Sequence, residues 1–252
     1  MRCLLYSDIH GKAENLDLLP DDDDLVNICL GDICAGDPEG AGRTIDKLME
    51  RKAICLYGSH NRPAVDDEAL EWFRIREQAL REEGRGNPNI LRRFHEDAFR
   101  LRRSLGAEHL RFLSSLPGTH TMELCGKVIR MIHDSPLAKG DLTKSRILNV
   151  DIARANFESP SFTGDILLVG HSHVPLAFRE YEGEITETVF DGSGSIEISE
   201  GRYILNPGSI QRLRAYPKQN QKTAVFKGAD RISYGILDLV KGRFDVRFIQ
   251  SS

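Results

Sequence analysis

The 252-residue chain has no apolar run near the roughly 20 residues that cross a bilayer, so no membrane-spanning segment is expected. No signal peptide is expected either, because the strand-like Cys3-Leu4-Leu5-Tyr6 begins at once and runs into Asp8 and His10. Cysteine is scarce: five, an odd number, with none in paired zinc-ribbon spacing. Cys3, Cys29 and Cys55 sit inside apolar strand-like runs, where a thiol behaves as a small hydrophobe. Cys34 lies nearer the polar clusters discussed below, and packing is the better account of it too. A reducing, cytoplasmic setting is therefore expected. Excess positive charge is also missing, with 34 Lys and Arg against 38 Asp and Glu, which argues against a dedicated nucleic-acid binder. There is no internal repeat, low-complexity tract or linker. The simplest organisation is one domain over 1–252 with a cap-like helical insertion at about 66–116.

What is present is a soluble composition, 40% hydrophobic and 29% charged, arranged in alternating elements. Three short apolar runs, "RCLLYSDIHG", "DDLVNICLGD" and "KAICLYGSHN", each end in Gly, Asp or His. The intervening "KAENLDLLP" and "EGAGRTIDKLMERK" can form helices, the mark of βαβ units around a parallel sheet. The four aspartates at 21–24 read as a solvated turn. In 66–116, Asp66, Asp67 and Glu68 open a helix that Gly84 to Pro88 end. Leu91, Phe94, Ala98, Leu101 and Leu105 then recur at three- and four-residue steps, with Gly106 the expected stop, and a short third helix leads to Leu116-Pro117. Seven arginines against three acids between 84 and 111 mark either a solvated helix face or a cap that attracts anions. From residue 118 the pattern is mainly β, closing on a hairpin turned by Lys241-Gly242.

Five of the eight histidines, His10, His60, His133, His171 and His173, stand at or just past the ends of apolar runs. Open parallel sheets place their ligand sites there. On a strand, alternate residues share a face, so Asp8 with His10 and His171 with His173 could each offer two groups from one strand end. Asp32 follows Gly31, whose missing side chain leaves space for a carboxylate to reach inward. Carboxylates mixed with imidazoles and no thiolate favour Mn, Fe, Co, Ni or Zn over Ca or Mg. His95, His109 and His120 lack such a context.

"DIH", "GD", "GSHN", "IHDSP", "GHSH" and "NPGS", in that order over residues 8 to 209, resemble the motifs of the calcineurin-like metallophosphoesterase superfamily, especially its small prokaryotic and diadenosine-tetraphosphatase-like members. The resemblance implies an α/β fold, a four-layer α/β/β/α sandwich, with two divalent metals, Mn²⁺ foremost, between the inner sheet edges. By position, Asp8, His10 and His173 would hold the first metal, His133 and His171 the second, and Asp32 would bridge them. His60 would face the leaving group as a catalytic residue, and Asn206 would sit in a turn beside the site. The implied chemistry is hydrolysis of a phosphate ester by metal-bound hydroxide. Ser59 falls where the family carries a metal-ligating Asn, and a neutral hydroxyl there is a weaker ligand. Asp134 follows His133 where small members often carry Gly. Asn61, with Arg212 and Arg214 of the acid-free stretch 211–227, are candidate substrate contacts, though that stretch reads equally as a basic surface loop. The expected partner is a small phosphorylated substrate, a phosphodiester or nucleotide. The alternatives are a phosphomonoesterase or protein-phosphatase-like enzyme, and a non-catalytic scaffold of the same fold.

Overall fold

The computed structural model describes residues 1–84, 87–137, 146–211 and 231–250. The three opening runs form parallel strands β1 (Arg2–Tyr6), β2 (Leu25–Cys29) and β3 (Ile54–Cys55). A 3₁₀ turn (Ala13–Leu18) and helix α1 (Pro38–Glu50) connect them. The start of α1 is fixed locally: the Asp37 carboxylate accepts from the backbone N–H groups of Glu39 and Gly40, and Pro38 occupies the first turn. Residues 67–115 form α2 (Asp67–Glu83), α3 (Pro88–Ser104) and α4 (Ala107–Ser115). Asp66 caps α2 and left-handed Gly84 ends it. Gly106, expected to stop α3, instead precedes α4 as its N-cap; α3 already ends at Leu105 in extended conformation.

The remaining strands are β4 (Thr119–Leu124), β5 (Lys127–Ile132), β6 (Ile166–Leu168), β7 (Pro175–Tyr181), β8 (Glu184–Val189), β9 (Gly194–Glu197), β10 (Arg202–Pro207), β11 (Arg231–Asp238) and β12 (Arg243–Gln250). Helix α5 (Val150–Phe157) precedes β6. Two six-stranded sheets result, ordered β3-β2-β1-β11-β12-β9 and β4-β5-β6-β10-β7-β8. In the first sheet the parallel strands β3, β2 and β1 form one side and antiparallel β11, β12 and β9 the other. In the second, parallel β5, β6 and β10 form the centre and antiparallel strands flank them.

The period-two pattern of the strands builds the layers. Leu4 and Tyr6 point outward into a core shared with α1 and α4, whereas Cys3 and Leu5 point inward to meet the second sheet. In the second sheet Ile166 and Leu168 face that same inner core, and Leu167 packs outward against α5 with Phe157. Three apolar interlayers separate four layers, the α/β/β/α sandwich. The parallel strands of both sheets release their chains at the edge where the histidine motifs lie.

Candidate active site

The motif residues do not continue the strands. β1 ends at Tyr6 and β6 at Leu168, and the following residues Asp8 (φ 55°), His10 (50°), His171 (61°) and His173 (59°) take left-handed backbone, as does Asp32 (50°) beyond β2. The strand-pleat account of the two pairs is therefore corrected: tight left-handed loops aim these side chains. Such conformations cost about 1–3 kcal/mol each and persist only where their surroundings hold them. Here the hold is visible. Asp8 N–H donates to the Gly31 carbonyl and His10 N–H to the Asp32 carbonyl, both at 3.0 Å. His171 N–H donates to Asp8 Oδ2 at 3.0 Å, and His60 N–H to Asp32 Oδ1 at 2.8 Å.

Two clusters result. Asp8, His10 and His173 form one, and Asp32, His133 and His171 the other, each with ligand atoms within 4.8 Å of one another. The two histidines of "GHSH" thus serve different clusters. Asp32 Oδ2 stands between them, 3.1 Å from His133 Nε2 and 3.9 Å from His10 Nε2. A third grouping of His10, Asp32 and His60 overlaps both, so His60 lies within reach of the first cluster's ligand atoms. Ser59 Oγ lies 3.3 Å and 3.5 Å from the two Asp32 carboxylate oxygens, beside the bridging position.

The donor set fits divalent cations. His10 Nε2 and His173 Nε2 face each other at 3.2 Å, and Asp8 Oδ1 lies 3.1 Å from the latter. Asp8 Oδ1 and His133 Nε2 are buried and make no aligned hydrogen bond, although each has a site atom at 3.1 Å. His133 Nδ1 can only donate to the Leu30 carbonyl, 2.8 Å away, which leaves Nε2 as the coordinating nitrogen. Burial pushes His10 and His171 down to about 3, so both imidazoles are neutral and ready to coordinate. Burial would also lower His133, but the charge and hydrogen bond of Asp32 outweigh it and raise it to about 10. Burial alone would raise Asp8 and Asp32; the neighbouring His173 and His133 respectively hold them below the usual carboxylate range.

The surrounding loops are built around these groups. Gly31 (φ 105°) makes room for His133 and not, as its sequence position implied, for Asp32: a Cβ there would stand 2.7 Å from His133 Nδ1. Gly58 is the residue that yields to Asp32, since a Cβ would collide with its carboxylate. Asn61 is fully buried; its Oδ1 accepts from Gly58 N–H (3.1 Å) and Ile33 N–H (3.3 Å). It shapes the loop and does not line the cavity, which corrects its assignment as a substrate contact. Asn206 Nδ2 donates to the Gly170 carbonyl (2.7 Å) and Ser172 Oγ (3.0 Å), pinning "GHSH" to "NPGS". Ser209 Oγ donates to the Asp8 carbonyl at 3.0 Å. Arg212 and Arg214 lie outside the described residues.

Asp32, Ser59, His60, His133, His171 and His173 form the floor of a cavity of about 1440 Å³, with Asp8 and His10 behind them. Its far wall comes from α2 and α3 through Trp72, Phe73, Ile90, Leu91 and Phe94. Arg62 and Arg146, which the motif pattern did not single out, line it as well. None of the arginines of the 84–111 segment does so among the described residues; Arg102 binds the Ala64 carbonyl and Asp67, and Arg92 and Arg93 face acids one turn on. Those contacts fit the solvated-face reading.

Residues 1–230 match the calcineurin-like phosphoesterase superfamily domain. The chain belongs to that superfamily. A metallophosphoesterase from Sphaerobacter thermophilus is 25% identical, covers all of this chain and 90% of its own, and superimposes with a TM-score of 0.68. An uncharacterised protein of Methanocaldococcus jannaschii is 24% identical over 96% of this chain and 88% of its own. A hypothetical protein from Pyrococcus horikoshii OT3, 15% identical over all of this chain and 88% of its own, shares the fold with a TM-score of 0.61. The superfamily is one of metal-binding hydrolases, and the two Asp/His clusters suit divalent metals. No helix among the described residues is long and apolar enough to cross a membrane.

Proposed function

We propose that this protein is a dinuclear metal-dependent phosphoesterase that hydrolyses a small phosphodiester or nucleotide-type substrate. The observation that carries the reading is the pair of Asp/His clusters meeting at Asp32 on the floor of one cavity, with His60 at their edge. Asp8, His10 and His173 would hold one cation, His133 and His171 the other, and Asp32 both, with the Ser59 hydroxyl beside the shared carboxylate. When bound, two such cations acidify water near neutral pH and neutralise phosphoryl charge, with Mn²⁺ the favoured ion.

The chain's own groups supply the rest. Buried, neutral His10 and His171 hold their lone pairs ready without first losing a proton. The Leu30 carbonyl fixes the His133 ring and its tautomer. His60, whose ring meets His10 edge-on at 4.7 Å, faces the cavity and delivers a proton to the departing ester oxygen. A cytoplasmic setting accompanies the reading, supported by five free cysteines, four of them buried. The test is turnover of bis(4-nitrophenyl) phosphate before chelation, after it, and after Mn²⁺ is returned. Chelation should abolish activity and Mn²⁺ restore it; full activity of a thoroughly stripped sample overturns the reading.

A further inference from the structure

The floor of the cavity is polar, while the wall that α2 and α3 bring beside it is mainly apolar, with Glu68 its one charged residue among those described. From the first cluster a continuous series of ring contacts leads outward into the helices. His10 meets His60 (centroids 4.7 Å apart), His60 meets Phe94 (4.5 Å), Phe94 meets Phe73 (5.9 Å) and Phe73 meets Trp72 (5.2 Å), each edge to face. Phe94, Phe73 and Trp72 all line the cavity, and beside them Ile90 keeps 49% of its surface exposed. A phosphoryl group held at the floor fills little of the available 1440 Å³, a volume above the roughly 300–1,000 Å³ common for small-molecule pockets. The unused volume adjoins apolar side chains that gain by being removed from water.

We propose that Trp72, Ile90 and Phe94 form a subsite for the organic part of the substrate, and that the protein selects phosphoesters of bulky apolar alcohols, aryl or long alkyl, over those of small polar ones. The inference rests on the phosphoesterase reading for the placement of the phosphoryl group. It adds what decides selectivity: an apolar surface on α2 and α3 that begins at His60. A substrate whose phosphorus lies at the floor has its leaving oxygen near His60, and the group on that oxygen meets Phe94 next. Phe94 and Trp72 thus act on binding of the organic group and not on the bond that breaks.

Trp72 is the only tryptophan in the chain, so the subsite carries its own fluorescent reporter. The experiment is calorimetric titration of the Mn²⁺-supplemented full chain with four non-hydrolysable probes: methyl-, phenyl-, 2-naphthyl- and decylphosphonate. Trp72 emission is followed in the methyl and decyl arms, where the probe does not absorb. Affinity should rise on the order of 10-fold from methyl to the larger probes, as burial of a few apolar carbons gives. Decylphosphonate should shift the emission and methylphosphonate should not. The naphthyl and decyl arms tell an aryl group from an alkyl one. Trp72→Ala should remove most of the gain for the larger probes and leave methylphosphonate binding unchanged, with Trp72→Phe recovering it. Ile90→Ala, at a half-exposed position, repeats the affinity test should Trp72→Ala fold poorly. Equal affinity across the probes, or equal weakening of all four by Trp72→Ala, overturns the subsite. Repeating the titration after chelation separates the two readings. Ranking by apolar size that persists with no dependence on Mn²⁺ supports the subsite and contradicts the metal floor. Dependence on Mn²⁺ without any ranking overturns the subsite alone.

Discussion

The floor and the helical wall of the cavity are held in opposite ways. At the floor Asp8, Asp32 and His133 are almost completely buried, and the clusters are fixed by hydrogen bonds between loops that leave different strands. On the wall, the 17-residue α2 buries a single side chain, Phe73, and much of its remaining bonding is local, as in the Arg74–Glu71 and Arg81–Glu77 pairs. Exposed ion pairs of that kind contribute about 0–1 kcal/mol each. Ile75, Ile90 and Phe99 stay about half exposed on this side. The floor is tied together by contacts between loops distant in sequence, while the wall is held more by contacts within its own helices. Reaction type should follow the first and substrate choice the second.

Substitution of the residue where the two regions meet should give the largest separation. His60→Ala should slow esters with poor leaving groups by about 10²–10⁴-fold, while activated aryl esters change far less and bound metal stays nearly constant. Parallel rates on 4-nitrophenyl and alkyl esters, with metal analysis, measure this. An equal loss on both, or loss of metal, would move His60 from the wall's edge into the ligand set.

Acid should distinguish the regions next. His10 and His171 titrate near 3 in the folded chain, against an ordinary value of about 6.5. The unfolded chain therefore takes up protons that the folded one refuses. The contribution of these two groups to a chelated sample's stability should be complete above pH 6.5 and fall by up to about 1.4 kcal/mol per pH unit for each group as the pH drops toward 3. His133 acts in the other sense: with a folded value of about 10, its contribution is whole below 6.5 and lost as the pH rises toward 10. Urea unfolding at pH 7.5, 5.5 and 4.5 should show the acid loss, flattened by His171→Gln and unaltered by Trp72→Ala. A flat profile in the native chain contradicts the neutral, buried state of the floor histidines.

The smallest effect belongs to the wall alone. Asp66 Oδ1 accepts from Ala69 N–H at 2.9 Å, and its other oxygen pairs with Arg62 Nε at 2.8 Å. Asp66→Ala should cost about 1 kcal/mol, the usual worth of an N-cap, with metal content unchanged. Denaturant unfolding and metal analysis of one preparation check both halves; loss of metal would show that the wall supports the floor.

The same division governs what could be read in the sequence. Strand-end placement made Asp8, His10, Asp32, His133, His171 and His173 visible, because apolar runs and polar ends are local features. The backbone that aims them was not legible, since period-two reasoning stops where left-handed residues take over, as at His171 and His173. Nor could the pattern show that Asn61 turns inward to its own loop and Gly31 yields to His133, both consequences of contacts distant in sequence. Helical spacing found Phe94, yet spacing tells an apolar face and not whether core or cavity lies beyond it. The fold was more accessible: the opening βαβ units and the final hairpin are local, although the continuous apolar runs of β1 and β6 did not show which face meets which layer. The order of the second sheet, with β10 between β6 and β7, depends on pairings no local signal carries.

Metal counting on the intact protein tests the dinuclear floor most directly. After stripping and titration with Mn²⁺, the native chain should bind two ions, detected by calorimetry and elemental analysis. Asp32→Ala should weaken both sites and lower turnover by at least about 10³-fold, because it removes the charged group placed between the clusters. One ion or none in the native chain, or an Asp32→Ala protein that still binds two ions with native affinity, would contradict the account.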